Sequence, residues 1–220
     1  MTGVPDIQTL GPVSWVVSDL NARDIALEPA QPSERARAER FKRADDRDHF
    51  LHTRHIARHL VSAVTGSSVS ELVFDDPHGE QPHLASMPDV WISWSRSGPC
   101  SIAAMTRTGR VAVDVERISP IAMASMLDMV ATPAEREAVL EAGISEQQQL
   151  TRFFRLWTAK EAILKLRGTG LRGDAKSVEL SADILKGDTA SVGYVDGDQT
   201  VTLDFPNVPD GLCVCIAQQT

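Results

Sequence analysis

Cysteine is scarce in this chain, three in 220 residues, and what is missing narrows the field. An odd count, with Cys213 and Cys215 alternating along an expected strand, argues against a disulfide framework, and none of the three has metal-ligand spacing. No apolar run approaches the roughly 18 residues of a membrane span, and the N-terminus carries no charged and apolar leader. The expectation is a cytoplasmic protein with no membrane partner. Positive charge is in deficit, with 22 Lys and Arg against 30 Asp and Glu for a formal net charge of −8. That excludes general attraction to nucleic acid or an anionic membrane. Basic residues nevertheless cluster between Arg35 and Arg58, which leaves room for a local anion site. No fixed-period repeat or low-complexity tract occurs, and 14 Gly and 12 Pro give no sign of disorder. What is present is ample apolar material: at 42% hydrophobic, the chain can bury a substantial core as one large domain or two compact lobes.

The pattern predicts an α+β protein. Val13 to Ser18 reads as a strand, followed by a polar loop and a helix from about Glu34 to Ala44. Asp45 or Asp46 caps a second helix that stops before Gly66. Short strands are expected at Glu71 to Phe74, Trp91 to Ser95, Ser101 to Arg107 and Arg110 to Glu116, the last two joined by a turn at Thr108-Gly109. Ser119-Pro120 opens a helix, and Thr132-Pro133-Ala134-Glu135 is a capping box with proline at the first helical position. Ser145 with Gln148 caps a long helix. Strands near Ser177 to Leu180, Ala190 to Tyr194, Thr200 to Leu203 and Leu212 to Ala217 complete the second half.

Two segments carry chemistry. In Phe153 to Gly170 (FFRLWTAKEAILKLRGTG), Lys160 falls at about 100° per residue among Phe153, Leu156, Ile163 and Leu164, while Glu161 and Lys165 flank the arc of Phe154 and Trp157. An ordinary surface helix would segregate such charges. Arg152 and Arg155 do lie on the less apolar side. Local pairing of Glu161 with Lys165 at i,i+4 is the plain alternative, but it leaves Lys160 unexplained. Upstream, Val111-Ala112-Val113-Asp114-Val115-Glu116 alternates with the period of a strand. Asp114 and Glu116 share one face, with α-carbons roughly 7 Å apart. Two carboxylates this close need a cation or hydrogen-bond donors between them, and hard oxygens suit Mg²⁺ better than zinc.

Together, VAVDVE and FRLWTAKEAILKLRGTG resemble the paired motifs of the 4′-phosphopantetheinyl transferases, in particular the larger, monomeric surfactin-synthetase-activating type. Every charged position of the two motifs is present. Weaker likeness covers most of the chain: residues 35 to 60 resemble the family's Arg-rich first helices, Ile92 to Gly98 its serine loop, and Ala131 to Leu140 its F-[ST]-x-x-E-x-x-x-L segment. The resemblance implies two similar α/β lobes, 1–116 and 117–220, with the active site between them. It implies transfer of the phosphopantetheine arm of coenzyme A to a serine of an apo acyl or peptidyl carrier protein in fatty acid, polyketide or nonribosomal peptide synthesis. Adenosine 3′,5′-bisphosphate is released. By the same resemblance Asp114, Glu116 and Glu161 hold Mg²⁺ against the pyrophosphate. Glu161 takes the serine proton, directly or through a bound water, and Lys165 offsets charge on the leaving group or donates a proton. Lys160 contacts phosphate or braces the metal ligands. The expected protein is a monomer.

Departures from the family pattern fall on the coenzyme A contacts. The family's Gly-Lys-Pro reads Glu80-Gln81-Pro82 here, so Gln81 stands where a phosphate-binding lysine is usual. Ser95-Arg96-Ser97-Gly98 places Arg96 where the family has a histidine, and an arginine forks onto phosphate oxygens. His49 occupies a position often held by a phosphate-binding arginine, and Arg37 and Arg58 are the other basic candidates. Met123, Met126 and Met129 fall in the region that helps dock the carrier, although methionines also fill cores. Two other readings remain: a different Mg²⁺-dependent enzyme that cleaves pyrophosphates, and a non-catalytic member of the fold that binds coenzyme A or a carrier.

Overall fold

The computed structural model describes residues 5–22, 27–77, 81–169, 173–187 and 189–219. Gly170 and Glu80, both singled out above, lie outside these residues. The chain divides into two compact units, residues 1–111 and 112–220.

In the first unit, β1 (Gln8–Leu10) and β2 (Val13–Asp19) form a hairpin that turns at Gly11, whose φ of 55° suits glycine. Helices α1 (Pro32–Ala38) and α2 (Ala44–Thr65) follow, then β3 (Phe74–Asp75), β4 (His83–Leu84), β5 (Trp91–Ser97) and β6 (Cys100–Thr106). The antiparallel sheet runs β1-β2-β6-β5-β4-β3. One face of α2 packs Ile56, Ala57, Leu60 and Val61 onto Val16, Ile92, Ala103 and Met105. Gly66 ends α2 in the left-handed conformation, which returns its N–H to Ser62.

The second unit takes β7 (Arg110–Arg117), α3 (Met123–Val130), α4 (Pro133–Val139), α5 (Glu146–Leu166), α6 (Ala182–Lys186), β8 (Ser191–Asp196), β9 (Gln199–Asp204) and β10 (Leu212–Gln219). Its sheet order is β7-β10-β9-β8. Phe153, Leu156, Ala159 and Ile163 of α5 share one buried core with Leu203, Cys215 and Ala217 of that sheet. Thr132 and Ser145 both cap their helices through capping boxes, as their sequences require.

Several elements differ from expectation for identifiable reasons. The strand β7 pairs in the second sheet and not with β6, because alternation marks a strand without naming its partner. Its residues Asp114 and Glu116 therefore belong to the second unit. Asp45 and Asp46 do not cap α2; Arg43 holds that position and the two acids lie in the first turn, where the helix dipole favours them. The first helix ends at Ala38, short of Ala44. In place of the strand from Glu71 to Phe74 there is a 3₁₀ turn, Val69–Glu71, before β3. The helix expected at Ser119-Pro120 begins only at Met123. The strand expected at Ser177 to Leu180 is irregular chain after a 3₁₀ turn at Ala175–Ser177, since the Leu180 N–H donates to the Glu135 carboxylate at 2.8 Å instead of to a ladder.

Candidate active site

Helix α5 carries the chemistry because residues four apart recur on one face, each one turn above the last. Trp157, Glu161 and Lys165 form such a stripe. The Trp157 indole N–H donates to Glu116 Oε1 at 3.2 Å. Lys165 Nζ donates to Asp114 Oδ1 at 2.7 Å and to the Val113 carbonyl at 3.0 Å. Two residues of one strand face are thereby tied to both ends of a three-residue helix stripe. Glu161 sits in the middle of that stripe, 7% exposed. Burial, with the negative charges of Asp114 and Glu116 close by, raises its pKa from the usual 4.5 to about 7, against the opposing pull of Lys165. Three carboxylates and one ammonium thus share one locality, with Asp114 itself buried at 4%.

Lys160 has a different place. Its ammonium, 2% exposed, donates to Glu135 Oε2 at 2.7 Å, to the Val130 carbonyl at 2.8 Å and to the Ala175 carbonyl at 2.9 Å. An ammonium has three protons, so all are given to protein. Burial lowers its pKa, and the neighbouring Glu135 pushes back. In this structure Lys160 is a brace, its three protons tying α5 to Glu135 and to the Val130 and Ala175 carbonyls. Glu135, 1% exposed, also accepts from the Thr132 N–H at 2.8 Å. Sequence reasoning found Glu135 as the last residue of a capping box, and the box is real. Nothing in a capping pattern announces that the same carboxylate also receives a lysine from another helix.

The candidates of the first unit are largely committed to protein partners. Arg58, 2% exposed, pairs with Glu34 at 2.7 Å and donates to Gln31 Oε1 and the Leu72 carbonyl. Its guanidinium ties α2 to Glu34, Gln31 and the Leu72 carbonyl. Gln81 turns its amide to the Val111 carbonyl at 2.6 Å and the Ile92 carbonyl at 3.2 Å. Such a side chain completes backbone hydrogen bonding and leaves the usual lysine without a substitute at that position. Ser95 and Arg96 lie within β5, paired with Ile102 and Ser101, and not in a loop; the turn comes at Gly98. Ser95 is half-buried and Arg96 exposed. His49 is half-buried on α2, and its carbonyl accepts from the Thr53 hydroxyl.

Arg37 bonds Asp76 at 3.0 Å with its side chain 43% exposed. Asp76 also pairs with Arg54, which sequence reasoning missed. The Arg54 guanidinium lies 4.4 Å from the ring centroids of both Phe50 and Trp94, and burial lowers its pKa. Arg37 also stands over the Phe50 ring at 5.2 Å and Arg58 over Phe74 at 4.9 Å, with Phe74 edge-on to Trp94. Cations and rings therefore alternate through this unit. A small cavity of about 110 Å³ opens beside them, lined in part by Gln31, Arg37, Arg54 and Asp76.

Three carboxylates and an ammonium gathered from one strand and one helix of an α+β chain, one of them with a strongly shifted pKa, mark a candidate functional site. The sequence comparisons fix the family. Residues 110–203 match the model of the 4′-phosphopantetheinyl transferase superfamily. The chain is 31% identical over 150 residues to the 4′-phosphopantetheinyl transferase AcpT of Escherichia coli, covering 66% of this chain and 68% of that protein. It is 27% identical over 168 residues to 4′-phosphopantetheinyl transferase psf-1 of Bacillus pumilus, covering 70% of this chain and 66% of that one. Against 4′-phosphopantetheinyl transferase Sfp of Bacillus subtilis the identity is 26% over 154 residues, 69% of this chain and 67% of the relative. The chain belongs to the 4′-phosphopantetheinyl transferase superfamily.

Proposed function

We propose that this protein transfers the 4′-phosphopantetheine arm of coenzyme A to a serine hydroxyl of an apo acyl or peptidyl carrier protein. The serine oxygen forms a bond to the phosphorus that bears the pantetheine arm. The bond from that phosphorus to the bridging oxygen breaks, and adenosine 3′,5′-bisphosphate leaves. The observation that carries this reading is the stripe Trp157, Glu161 and Lys165 against Asp114 and Glu116, in a chain whose relatives are named for this activity.

Glu161 is the proposed base. Its carboxylate can take the serine proton directly or through a bound water; the pKa of about 7 belongs to the metal-free protein, and a bound cation lowers it. Lys165 holds positive charge one turn away, suited to stabilising the bisphosphate as it departs. Asp114, Glu116 and Glu161 are the residues that would hold Mg²⁺. The donor set fits: all are hard carboxylate oxygens, and the mutual repulsion that lifts the Glu161 pKa is relieved by a divalent cation. Among the described residues, however, no three His, Cys, Asp or Glu side chains already stand in a metal-holding arrangement. When bound, Mg²⁺ neutralises pyrophosphate charge and orients it for in-line displacement. The proposed phosphate contacts in the first unit are Arg37 and Arg96, with Ser95 next to Arg96 along β5 and His49 on α2. Lys160 and Glu135 support α5 beneath the acids.

The reading is tested by incubating the protein with coenzyme A, Mg²⁺ and a panel of apo carriers from fatty acid, polyketide and peptide synthases. The expected result is a mass gain of one phosphopantetheine on at least one carrier, lost in Glu161→Gln. No gain on any carrier overturns the transferase reading. Pyrophosphate cleavage without transfer would identify a hydrolase instead, and binding of coenzyme A without turnover a non-catalytic member.

A further inference from the structure

The motif residue left without a task is Trp157. It lies against the second unit's core, its ring stacked on Phe153 with centroids 6.3 Å apart and planes at 23°. Packing explains an aromatic side chain there. It does not call for a polar edge, which an indole has and an apolar ring lacks. That edge is spent on Glu116 Oε1, at 3.2 Å.

We propose that Trp157 is a positioning residue that holds the Glu116 carboxylate oriented for a divalent cation. This inference rests on the metal reading given above. Three properties of the contact support it. An indole N–H is donor-only and neutral, so it orients the carboxylate without cancelling the negative charge that attracts a cation. A lysine in its place would pair with Glu116 and offset its charge, as Lys165 pairs with Asp114. Trp157 also lies on the helix that carries Glu161, four residues earlier. One rigid element therefore supplies one acid and fixes the rotamer of a second, which comes from the neighbouring strand. Outer partners of this kind, which bond a ligand and not the metal, typically change metal affinity 10- to 100-fold.

The test uses the full chain and needs no turnover. Mg²⁺ binding is measured by calorimetry and by the rise in unfolding temperature with Mg²⁺, for the wild type, Trp157→Phe, Glu116→Gln and the double variant. The expected result for Trp157→Phe is an Mg²⁺ dissociation constant raised about 10-fold. In the Glu116→Gln background the same change should have little further effect, because the two residues act as one unit. Equal Mg²⁺ affinity in wild type and Trp157→Phe overturns the proposal, as does a loss of the same size whether or not Glu116 is present. A wild type that binds no Mg²⁺ fails at an earlier step and overturns the metal reading itself. If Trp157→Phe does not fold, incorporation of benzothienylalanine at 157 keeps the bicyclic shape and removes only the N–H. The same 10-fold loss is expected there, and unchanged affinity is equally decisive against the proposal.

Discussion

A carboxylic acid in the surroundings of Glu161 gives up its proton late, and that has a cost to the folded state. Its pKa rises from 4.5 to about 7 on folding, because burial and the charges of Asp114 and Glu116 disfavour ionisation. Between these values the folded protein binds more protons than the unfolded one, so stability falls as pH rises across that window. Below 4.5 both states are protonated and the penalty is absent; above 7 it is fully present. Glu161→Gln removes the penalty. In metal-free protein the variant should therefore unfold at a higher temperature than wild type at pH 8, with the difference shrinking towards zero near pH 4. Unfolding temperatures across that range check the expectation. A difference that stays flat with pH would mean that Glu161 does not titrate as its surroundings require. At the residue scale the sequence was informative about identity and silent about partners. Spacing put Asp114 and Glu116 on one strand face and Glu161 and Lys165 one turn apart on a helix, and only the resemblance of the two motifs joined them. The sequence left Lys160 open between a phosphate contact and a brace, because a helical wheel shows that a lysine faces an apolar side without showing the acid waiting there.

At the scale of elements, the pair Lys160 and Glu135 ties α5 to α4, to the C-terminal end of α3 through the Val130 carbonyl, and to the turn at Ala175–Ser177. Removing one partner of a buried pair leaves an uncompensated charge, which typically costs about 3–5 kcal/mol. Lys160→Met is expected to lose stability in that range in urea unfolding. Adding Glu135→Gln should recover part of the loss, since the amide oxygen can still accept from the Leu180 N–H while the orphaned charge is gone. Absence of any recovery would assign the loss to packing. Element existence was largely legible: the strands from Val13, Trp91 and Leu212, the two capping boxes and the stop at Gly66 all follow from local signals. What sequence did not supply was pairing. The region Ser177 to Leu180 has strand-like composition but spends its hydrogen bonds on a side chain, and the assignment of β7 to β10 is a long-range fact that no local pattern contains.

For the whole molecule, a surplus of negative charge and a cation-dependent reading of the second unit lead to a simple expectation. Ligands that bind only the folded state raise its stability by RT ln(1 + [L]/Kd), about 2.7 kcal/mol at a hundred times Kd. On the proposed reading, coenzyme A and Mg²⁺ together should raise the unfolding temperature by more than the sum of their separate effects, since a pyrophosphate would add oxygen ligands to those of the three proposed carboxylates. A thermal shift no larger than that sum would count against shared occupancy. At this scale the likeness of two motifs reached further than composition, which allowed one domain as readily as two lobes. The alternation of Arg37, Phe50, Arg54, Trp94, Phe74 and Arg58 has its own consequence, in entropy. A free arginine side chain carries about 2 kcal/mol of rotamer freedom. Arg54 and Arg58, held by rings and carboxylates, have surrendered theirs on folding. Only Arg37, 43% exposed, retains much of it. Any anion that meets this row finds two cations already stilled and has one left to quiet.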